Sequence, residues 1–371
     1  MNKDDAELFD CMQVNLAALA ERRNGLQYRF ALGKMLQFKP RIGSDGLPTV
    51  EPSERDYIFA AEQWLGLRLV DRQNIQSVSQ LHSMAEKYGC LYVIADAFDL
   101  RWVPYFTHKH MDHSFLIELE GAGFLIADNY CNETQWGAAR PGSWSMSHLE
   151  VDELCSAGIQ AFAFEPQTPP SVPLSLKMSM VSYRREVSAY LSAYRQHPSS
   201  IEALERLTLE TWLMARSRRL YVAWYGDSFP VSNTLISEHL AGWRSQVEHT
   251  YIAYRRSARG GGSSAAVLDR LARLLEIDGQ IFFLESLRNQ IALATAQVFE
   301  VSVEEILNGT VFSSFATFSS FRVVEMIEFI EDQVGFSFNP DDLTPENLHS
   351  IEGLCRIAFR EAKESLNEPA A

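Results

Sequence analysis

The sequence predicts an α+β protein, and three patterns carry that prediction. Residues 105–119 and 124–128 form two apolar segments joined by a glycine-containing turn, which is typical of an antiparallel hairpin. Several stretches within residues 178–275 show helical periodicity. Residues 320–332 place apolar and acidic side chains on opposite faces of one helix. We therefore expect strands in the first half of the chain and helices in the rest.

Length and composition limit the classes of function. The chain has 371 residues, enough for two or three domains, and its 46% hydrophobic and 22% charged content is that of an ordinary soluble globular protein. A net charge of −15 with no compensating basic stripe argues against nucleic acid or an anionic membrane surface as the main partner. Residues 284–371 hold fifteen acids and five bases, so much of the acidity lies there. No apolar run has the length of a membrane span, and the N-terminus lacks the order of a signal peptide, which predicts a cytoplasmic protein.

The first predicted helix covers residues 9–23 and ends at Asn24 and Gly25. Cys11 lies in its first turn, where unsatisfied backbone N–H groups favour a thiolate. The five cysteines include no C-x-x-C pair, so neither a disulfide framework nor a zinc site is indicated. Cys11 is then either a nucleophile or a small buried residue.

A candidate base and its carboxylate lie on the predicted hairpin. We interpret residues 30–80 as loops with one or two helices, including 54–65, and residues 91–95 as a buried strand. His113 opens the first hairpin strand and Asp128 closes the second, so the two side chains are expected to meet. His108, His110 and His113 match no strong zinc pattern, and no metal site is predicted.

A family resemblance covers roughly residues 1–165. It rests on Asp10-Cys11 at a helix start and on the segments 92–96, 103–105, 110–117 and 125–128. Together they resemble the N-terminal domain of the butirosin-biosynthesis acyltransferase family, which is similar to papain-like cysteine enzymes. The resemblance implies a papain-like domain with Cys11 as nucleophile, His113 as base and Asp128 as the residue that orients it. Backbone N–H groups at the start of the Cys11 helix are the expected oxyanion donors.

The middle of the chain is expected to be a helical domain, residues 174–280, that covers the cleft of the first domain. A run rich in Pro, Gln, Thr and Ser at residues 166–173 marks its start. Helical periodicity then covers 178–195, 200–216, 235–255 and 265–275. The glycine-rich loop at 259–264 lacks the Lys-Ser/Thr of a P-loop and is interpreted as a linker.

Ser320 opens the acidic helix near the C-terminus, and its chemistry alone favours a helix cap. Residues 285–359, with predicted helices at 287–299, 301–306, 320–332 and from 349, resemble an acyl or peptidyl carrier protein. The resemblance implies a four-helix carrier domain, residues 284–365, and 4'-phosphopantetheine attached to Ser320. It implies a phosphopantetheinyl transferase as partner, and other carrier or assembly-line proteins as possible partners. Ser319 stands where that family has aspartate.

The two resemblances together imply an acyltransferase of natural-product biosynthesis. An acyl group would pass from a carrier-bound thioester to Cys11 and then to a small-molecule amine. Fusing a carrier to a thiol enzyme raises the effective concentration of the acyl arm to the millimolar order. Two alternatives stay open: a papain-like hydrolase or peptidase that uses the same three residues with water as acceptor, and a non-catalytic carrier-fused scaffold, which the Ser319 substitution favours.

Overall fold

A computed structural model describes residues 3–25, 28–35, 38–168, 180–225, 233–261, 264–334 and 336–367. It contains 58% helix and 16% strand, which confirms the α+β prediction. Contacts between residues group the chain into two compact units. The first comprises the described parts of residues 1–170, 193–229 and 233–268, and the second those of 171–192 and 269–371. Most of the predicted middle segment therefore belongs to the same unit as the N-terminal strands.

A six-stranded antiparallel sheet organises the first unit. Its strands stand in the order β3-β10-β4-β5-β6-β9. They are β3 (Leu67–Ile75), β4 (Leu91–Asp96), β5 (Asp112–Glu120), β6 (Gly123–Asp128), β9 (Gly142–Ser147) and β10 (Ile159–Pro166). Two-stranded pairs are formed by β1 (Arg41–Ile42) with β2 (Pro48–Thr49), and by β7 (Asn132–Thr134) with β8 (Gly137–Ala139).

The predicted hairpin is confirmed as β5 and β6. Glu120 pairs with Gly123 across a two-residue turn, and Gly121 has a φ of 56°, a value that glycine adopts at little cost. The inner positions of both strands are buried, and β4 pairs with β5 on its other side. β5 is thus a central strand, and the residues at its start lie inside the unit.

The interpretation of residues 30–80 as loops and helices was incomplete, because the short strands β1 and β2 and the longer strand β3 lie within them. Only the first and last residues of β3 are buried, and the others are partly or fully exposed. An edge strand of this kind has no continuous apolar run by which a sequence pattern could identify it. The predicted helix at 54–65 is present as α3 (Glu54–Trp64), with Ser53 and Asp56 forming its capping box.

The helices of the first unit pack on the sheet and around it. They are α1 (Lys3–Ala6), α2 (Gln13–Asn24), α3, α4 (Val78–Tyr88), α5 (His148–Ala157), α7 (Ser200–Tyr225) and α8 (Asn233–Ser257). The buried residues of α2, α4 and α5 share one apolar core with β4, β5, β6 and β10. α6 (Met180–Gln196) precedes α7. None of the helices within the described ranges has both the length and the apolar character needed to cross a membrane.

The second unit has its own apolar core. It is built from the C-terminal part of α9 (Ala265–Phe299), with α10 (Val303–Leu307), α11 (Ser320–Val334) and α12 (Ile351–Asn367). The helices predicted at 265–275 and 287–299 are parts of one continuous helix, α9. The segment between them contains no proline, and the cost of its one glycine, Gly279, is about 1 kcal/mol, which does not force a break. The domain boundary expected near residue 280 therefore falls inside a helix.

Candidate functional site

Cys11 lies in the turn that leads into α2. The Oδ1 atom of Asp10 accepts hydrogen bonds from the backbone N–H groups of Met12 at 2.9 Å and Gln13 at 2.7 Å. Aspartate is favoured here because its carboxylate satisfies N–H groups that the helix itself leaves unbonded. α2 begins at Gln13, so Cys11 precedes the first helical turn instead of lying within it as predicted.

Two contacts hold Cys11 against the start of β5. The Sγ atom of Cys11 lies 3.7 Å from the carbonyl oxygen of Asp112. The hydroxyl of Ser114 donates a hydrogen bond of 2.6 Å to the carbonyl oxygen of Cys11. Asp112 and Ser114 are the residues on either side of His113, so both contacts of Cys11 are with the sequence neighbours of His113. The thiol of Cys11 and the imidazole of His113 do not form a hydrogen bond with each other within the described residues. Cys11 is buried, with 7% of its surface exposed.

The thiol of Cys11 is not activated by its surroundings alone. Burial, followed by the negative charges of Asp10, Asp128 and Glu51, raises the pKa of Cys11 well above its ordinary value. The expectation of a lowered pKa is therefore wrong: burial and the neighbouring carboxylates outweigh the backbone N–H of Cys11, which acts to lower the pKa, and Asp10 accepts from the next two N–H groups. Cys11 rests as a neutral thiol and needs a base to become a nucleophile.

His113 and Asp128 form a buried pair. The Nε2 atom of His113 lies 2.7 Å from Oδ2 of Asp128, and the two side chains are 0% and 3% exposed. The β5–β6 hairpin brings the residues together, as the sequence predicted. The Nδ1 atom of His113 is also buried and has no hydrogen-bond partner among the residues that the structure describes. One ring nitrogen is thus held by Asp128, and the other is free.

Four donors surround the carboxylate of Asp128. Oδ1 accepts from the side chain of Asn15 at 3.2 Å and from the backbone N–H of Tyr130 at 2.9 Å. Oδ2 accepts from the indole N–H of Trp102 at 3.0 Å as well as from His113. Burial acts to raise the pKa of Asp128, but His113 and the other hydrogen bonds outweigh it and lower that pKa. Asp128 is therefore ionised and accepts only, so the hydrogen bond between the two residues is donated by the Nε2–H of His113.

Asn15 and Trp102 are site residues that the sequence reasoning missed. Asn15 is fully buried, and its Nδ2 also donates to the carbonyl of Ser114 at 2.8 Å. Its Oδ1 accepts from the backbone and side-chain N–H groups of Asn129 at 3.0 and 3.1 Å. An asparagine inside an apolar helical run is unusual and was a usable signal. Trp102 lies in the loop between β4 and β5, where no pattern marks it.

Two of the expected oxyanion donors are already used in this arrangement, whereas the backbone N–H of Cys11 itself lies beside its own thiol. The N–H groups of Met12 and Gln13 both donate to Asp10. The side-chain oxygen of Gln13 accepts from the N–H of Asp10 at 3.3 Å, and no hydrogen bond of its side-chain nitrogen is found among the described residues. Gln13 and Asp10 line a cavity of about 70 Å³ whose other walls include Val50, Pro52 and Arg216. The side-chain amide of Gln13, two residues after Cys11, can therefore donate a hydrogen bond to a substrate.

Arg216 connects α7 to the chain segments around the site. Its buried guanidinium donates to the carbonyl of Phe9, and it donates to the carbonyl of Cys131 at 2.9 Å. Phe9 lies two residues before Cys11, and Cys131 lies three residues after Asp128. A helix from the predicted middle domain, α7, therefore holds the segment before Cys11 and the segment after Asp128. Whether it covers a substrate cleft stays a prediction.

The other two histidines of the cluster have separate contacts. His110 pairs with Asp96 at 2.6 Å through Nδ1 and stacks on Phe98. His108 stacks on Trp136 with ring centroids 5.8 Å apart. Within the described part of the chain, no group of three or more His, Cys, Asp or Glu side chains is arranged to hold a metal ion.

Ser320 is the first residue of α11 in the second unit, and it is exposed. The half-buried Ser319 caps the helix, since its hydroxyl accepts from the N–H of Arg322 at 3.2 Å. The capping role considered for Ser320 therefore belongs to Ser319. Phe321 and Val324 beside it are 89% and 54% exposed. These residues fit a phosphopantetheine arm, because the Ser320 hydroxyl is accessible and is not used as the cap.

Comparisons with known proteins add no relative to this description: no family model matches the chain, and no curated protein matches it.

Proposed function

We propose that this chain is an acyltransferase that uses Cys11 as its nucleophile, His113 as its base and Asp128 to orient that base. The observation that carries the proposal is the buried His113–Asp128 pair. The Nδ1 atom of His113 has no partner among the described residues, and Cys11 contacts Asp112 and Ser114, the residues on either side of His113. A helix start that carries cysteine against antiparallel strands that carry histidine and aspartate supports the papain-like class.

The first chemical step follows from the protonation states of these groups. Cys11 attacks the carbonyl carbon of an acyl thioester while Nδ1 of His113 takes the thiol proton. Because the pKa of Cys11 is raised, this transfer accompanies the attack instead of preceding it. When the tetrahedral intermediate collapses, the bond to the donor sulfur breaks and His113 returns the proton to that sulfur. The products are an acyl-cysteine and a free donor thiol.

The second step regenerates the thiol. An amine attacks the acyl-cysteine carbonyl, and Nδ1 of His113 takes a proton from the amine nitrogen. The bond from the carbonyl carbon to Sγ then breaks, and the imidazolium returns its proton to Cys11. The product is an amide. With water in place of the amine the same steps give an acid, which is the hydrolase alternative.

The second unit supplies the donor in this proposal. Ser320 would hold 4'-phosphopantetheine through a phosphodiester, and that group supplies a flexible arm with a terminal thiol that carries the acyl group. Ser320 is exposed, whereas the Ser319 hydroxyl is used as the helix cap. Glu325 and Glu328 on α11 are exposed acids that would attract a partner with a basic surface.

The test begins by loading the chain from an acyl-coenzyme A with a broad-specificity phosphopantetheinyl transferase and offering a panel of primary amines. We expect amide formation by the native chain and none by Cys11→Ala. Cys155→Ala is the matched control, because Cys155 is also a buried free cysteine of the first unit.

Each outcome separates the alternatives. Release of free acid with no amide from any amine would favour the hydrolase. Absence of any mass gain on loading would favour the unmodified scaffold. Equal amide formation by Cys11→Ala and the native chain would overturn the proposal.

A further inference from the structure

We propose that Trp102 is a positioning residue that sets how strongly Asp128 holds the protonated form of His113, an inference that rests on the proposed function. Trp102 touches neither Cys11 nor any reacting atom in the mechanism described above. It acts through Asp128, and its effect is on the base.

The inference rests on one oxygen atom of Asp128 that accepts hydrogen bonds from both His113 and Trp102. Oδ2 of Asp128 accepts from Nε2 of His113 at 2.7 Å and from the indole N–H of Trp102 at 3.0 Å. Both donors draw on the negative charge of the same atom. A hydrogen bond to a charged oxygen is among the stronger ones in proteins, so the indole offsets part of the attraction between the carboxylate and an imidazolium.

The indole is held in place by aromatic packing. Its ring meets Phe115 edge-on, with centroids 5.3 Å apart, and stacks on Trp144 with centroids 5.6 Å apart. Trp144 lies on β9, where Gly142 pairs with Asp128. A Cβ atom on Gly142 would come within 2.8 Å of the Trp144 ring, so the glycine makes room for the stack. The N–H of Trp102 is thus aimed by rings that do not touch the carboxylate themselves.

Other charged and titratable groups lie around the pair, and the test leaves all of them except Cys11 unchanged. Tyr130 packs its ring against His113 with centroids 5.3 Å apart. The other groups act on Cys11, Asp112 or Tyr130, and they come from the start of α2, from β4 and β5, from the loops around them and from α7: Asp10, Cys11, Glu51, Asp96, Asp112, Tyr105 and Arg216. Cys11 is the one that takes part in proton transfer, and it is removed in the first measurement.

The direction of the effect follows from the charge on Oδ2. Without the indole N–H, His113 is the sole donor to that atom, and the carboxylate attracts the imidazolium more strongly. The imidazole of the variant then keeps its second proton to higher pH than that of the native chain. We expect Trp102→Phe, which keeps an aromatic ring for the stack, to move the acid limb of the transfer reaction to higher pH.

The direct measurement is an NMR titration that follows the imidazole nitrogen signals of His113 in the full-length Cys11→Ala chain. Adding Trp102→Phe should raise the pH midpoint of the His113 nitrogen signals, because the carboxylate of Asp128 loses a competing donor. Trp144→Phe is the matched control, since it changes the stack but removes no donor from Asp128. The pH midpoint of the His113 signals in the Cys11→Ala, Trp144→Phe chain should equal the midpoint in Cys11→Ala alone.

An unchanged midpoint in Trp102→Phe would overturn the inference, and so would an equal shift in Trp144→Phe, which would assign the effect to packing. If Trp102→Phe fails to fold, replacement of Trp102 by 3-benzothienylalanine removes the N–H while keeping the ring size, with the same expected shift. The titration does not depend on acyl transfer. Full transfer by Cys11→Ala would therefore refute the proposed function without changing the titration result.

Discussion

Replacing Asn15 with aspartate would place a second carboxylate beside Asp128 inside the first unit. The Nδ2 atom of Asn15 donates to Asp128 at 3.2 Å and to the carbonyl of Ser114 at 2.8 Å, and Asn15 is fully buried. The substitution keeps the shape of the side chain and keeps an acceptor for Asn129. It exchanges the donor for an oxygen, so two attractive contacts become repulsive.

The expected loss of stability depends on pH. Two unit charges about 3 Å apart repel by roughly 5 kcal/mol at an effective dielectric constant of about 20. The folded chain avoids this repulsion by keeping the new carboxyl protonated, which raises its folded pKa above the unfolded value of about 3.9. The folded state then binds more protons than the unfolded state, so the stability falls as pH rises, by about 1.4 kcal/mol per unit. Between pH 4.5 and 7.5 the added loss is about 4 kcal/mol.

Urea unfolding of Asn15→Asp at pH 4.5 and 7.5 measures this loss. Asn74→Asp is the control, because Asn74 is exposed on β3, and its stability should follow that of the native chain at both pH values. An equal loss for Asn15→Asp at both pH values would mean that packing, not charge, is responsible. Native stability at pH 7.5 would refute the buried contact between Asn15 and Asp128.

Three further predictions concern single carboxyl and hydroxyl groups. Asp128→Asn should lower single-turnover transfer by up to about four decades while the fold is kept, as the wrong imidazole tautomer does in serine triads, and native rates would contradict this. Ser320→Ala should prevent the mass gain of one phosphopantetheine and Ser319→Ala should retain it; the reverse pattern would move the attachment site. Burial raises the pKa of Asp10 to about 6, so Asp10 should contribute a loss of about 3 kcal/mol of stability as pH rises from 4 through 6. In urea unfolding, Asp10→Asn should differ from the native chain by the absence of that contribution, and an identical pH dependence would count against the buried carboxyl.

Local patterns were sufficient for much of the site. The hairpin could be predicted from two apolar segments and a glycine turn, and its register brings His113 to Asp128. The ending of α2 at Gly25 and the helix start at Ser320 also follow from nearby residues. These features depend on residues close in sequence, and sequence patterns report such features well.

Long-range contacts account for what could not be predicted. The pKa of Cys11 depends on burial and on Asp128 and Glu51, which are distant in sequence, and these effects outweigh the local influence of the helix start. Trp102 contributes through a single N–H from an irregular loop. β3 is a mostly exposed edge strand whose partner, β10, lies far along the chain. In each case a distant residue decides the outcome.

The central claim is that the acyl group passes through Cys11. The most direct test loads the native chain with an acyl thioester, quenches it in acid within a single turnover in the absence of amine, and maps the acyl group by peptide mass spectrometry. We predict a thioester on the peptide that contains Cys11 when the amine is withheld. The thioester should disappear when the amine is added. An acyl group found only on the Ser320 arm, together with native amide yield from Cys11→Ala, would contradict the account.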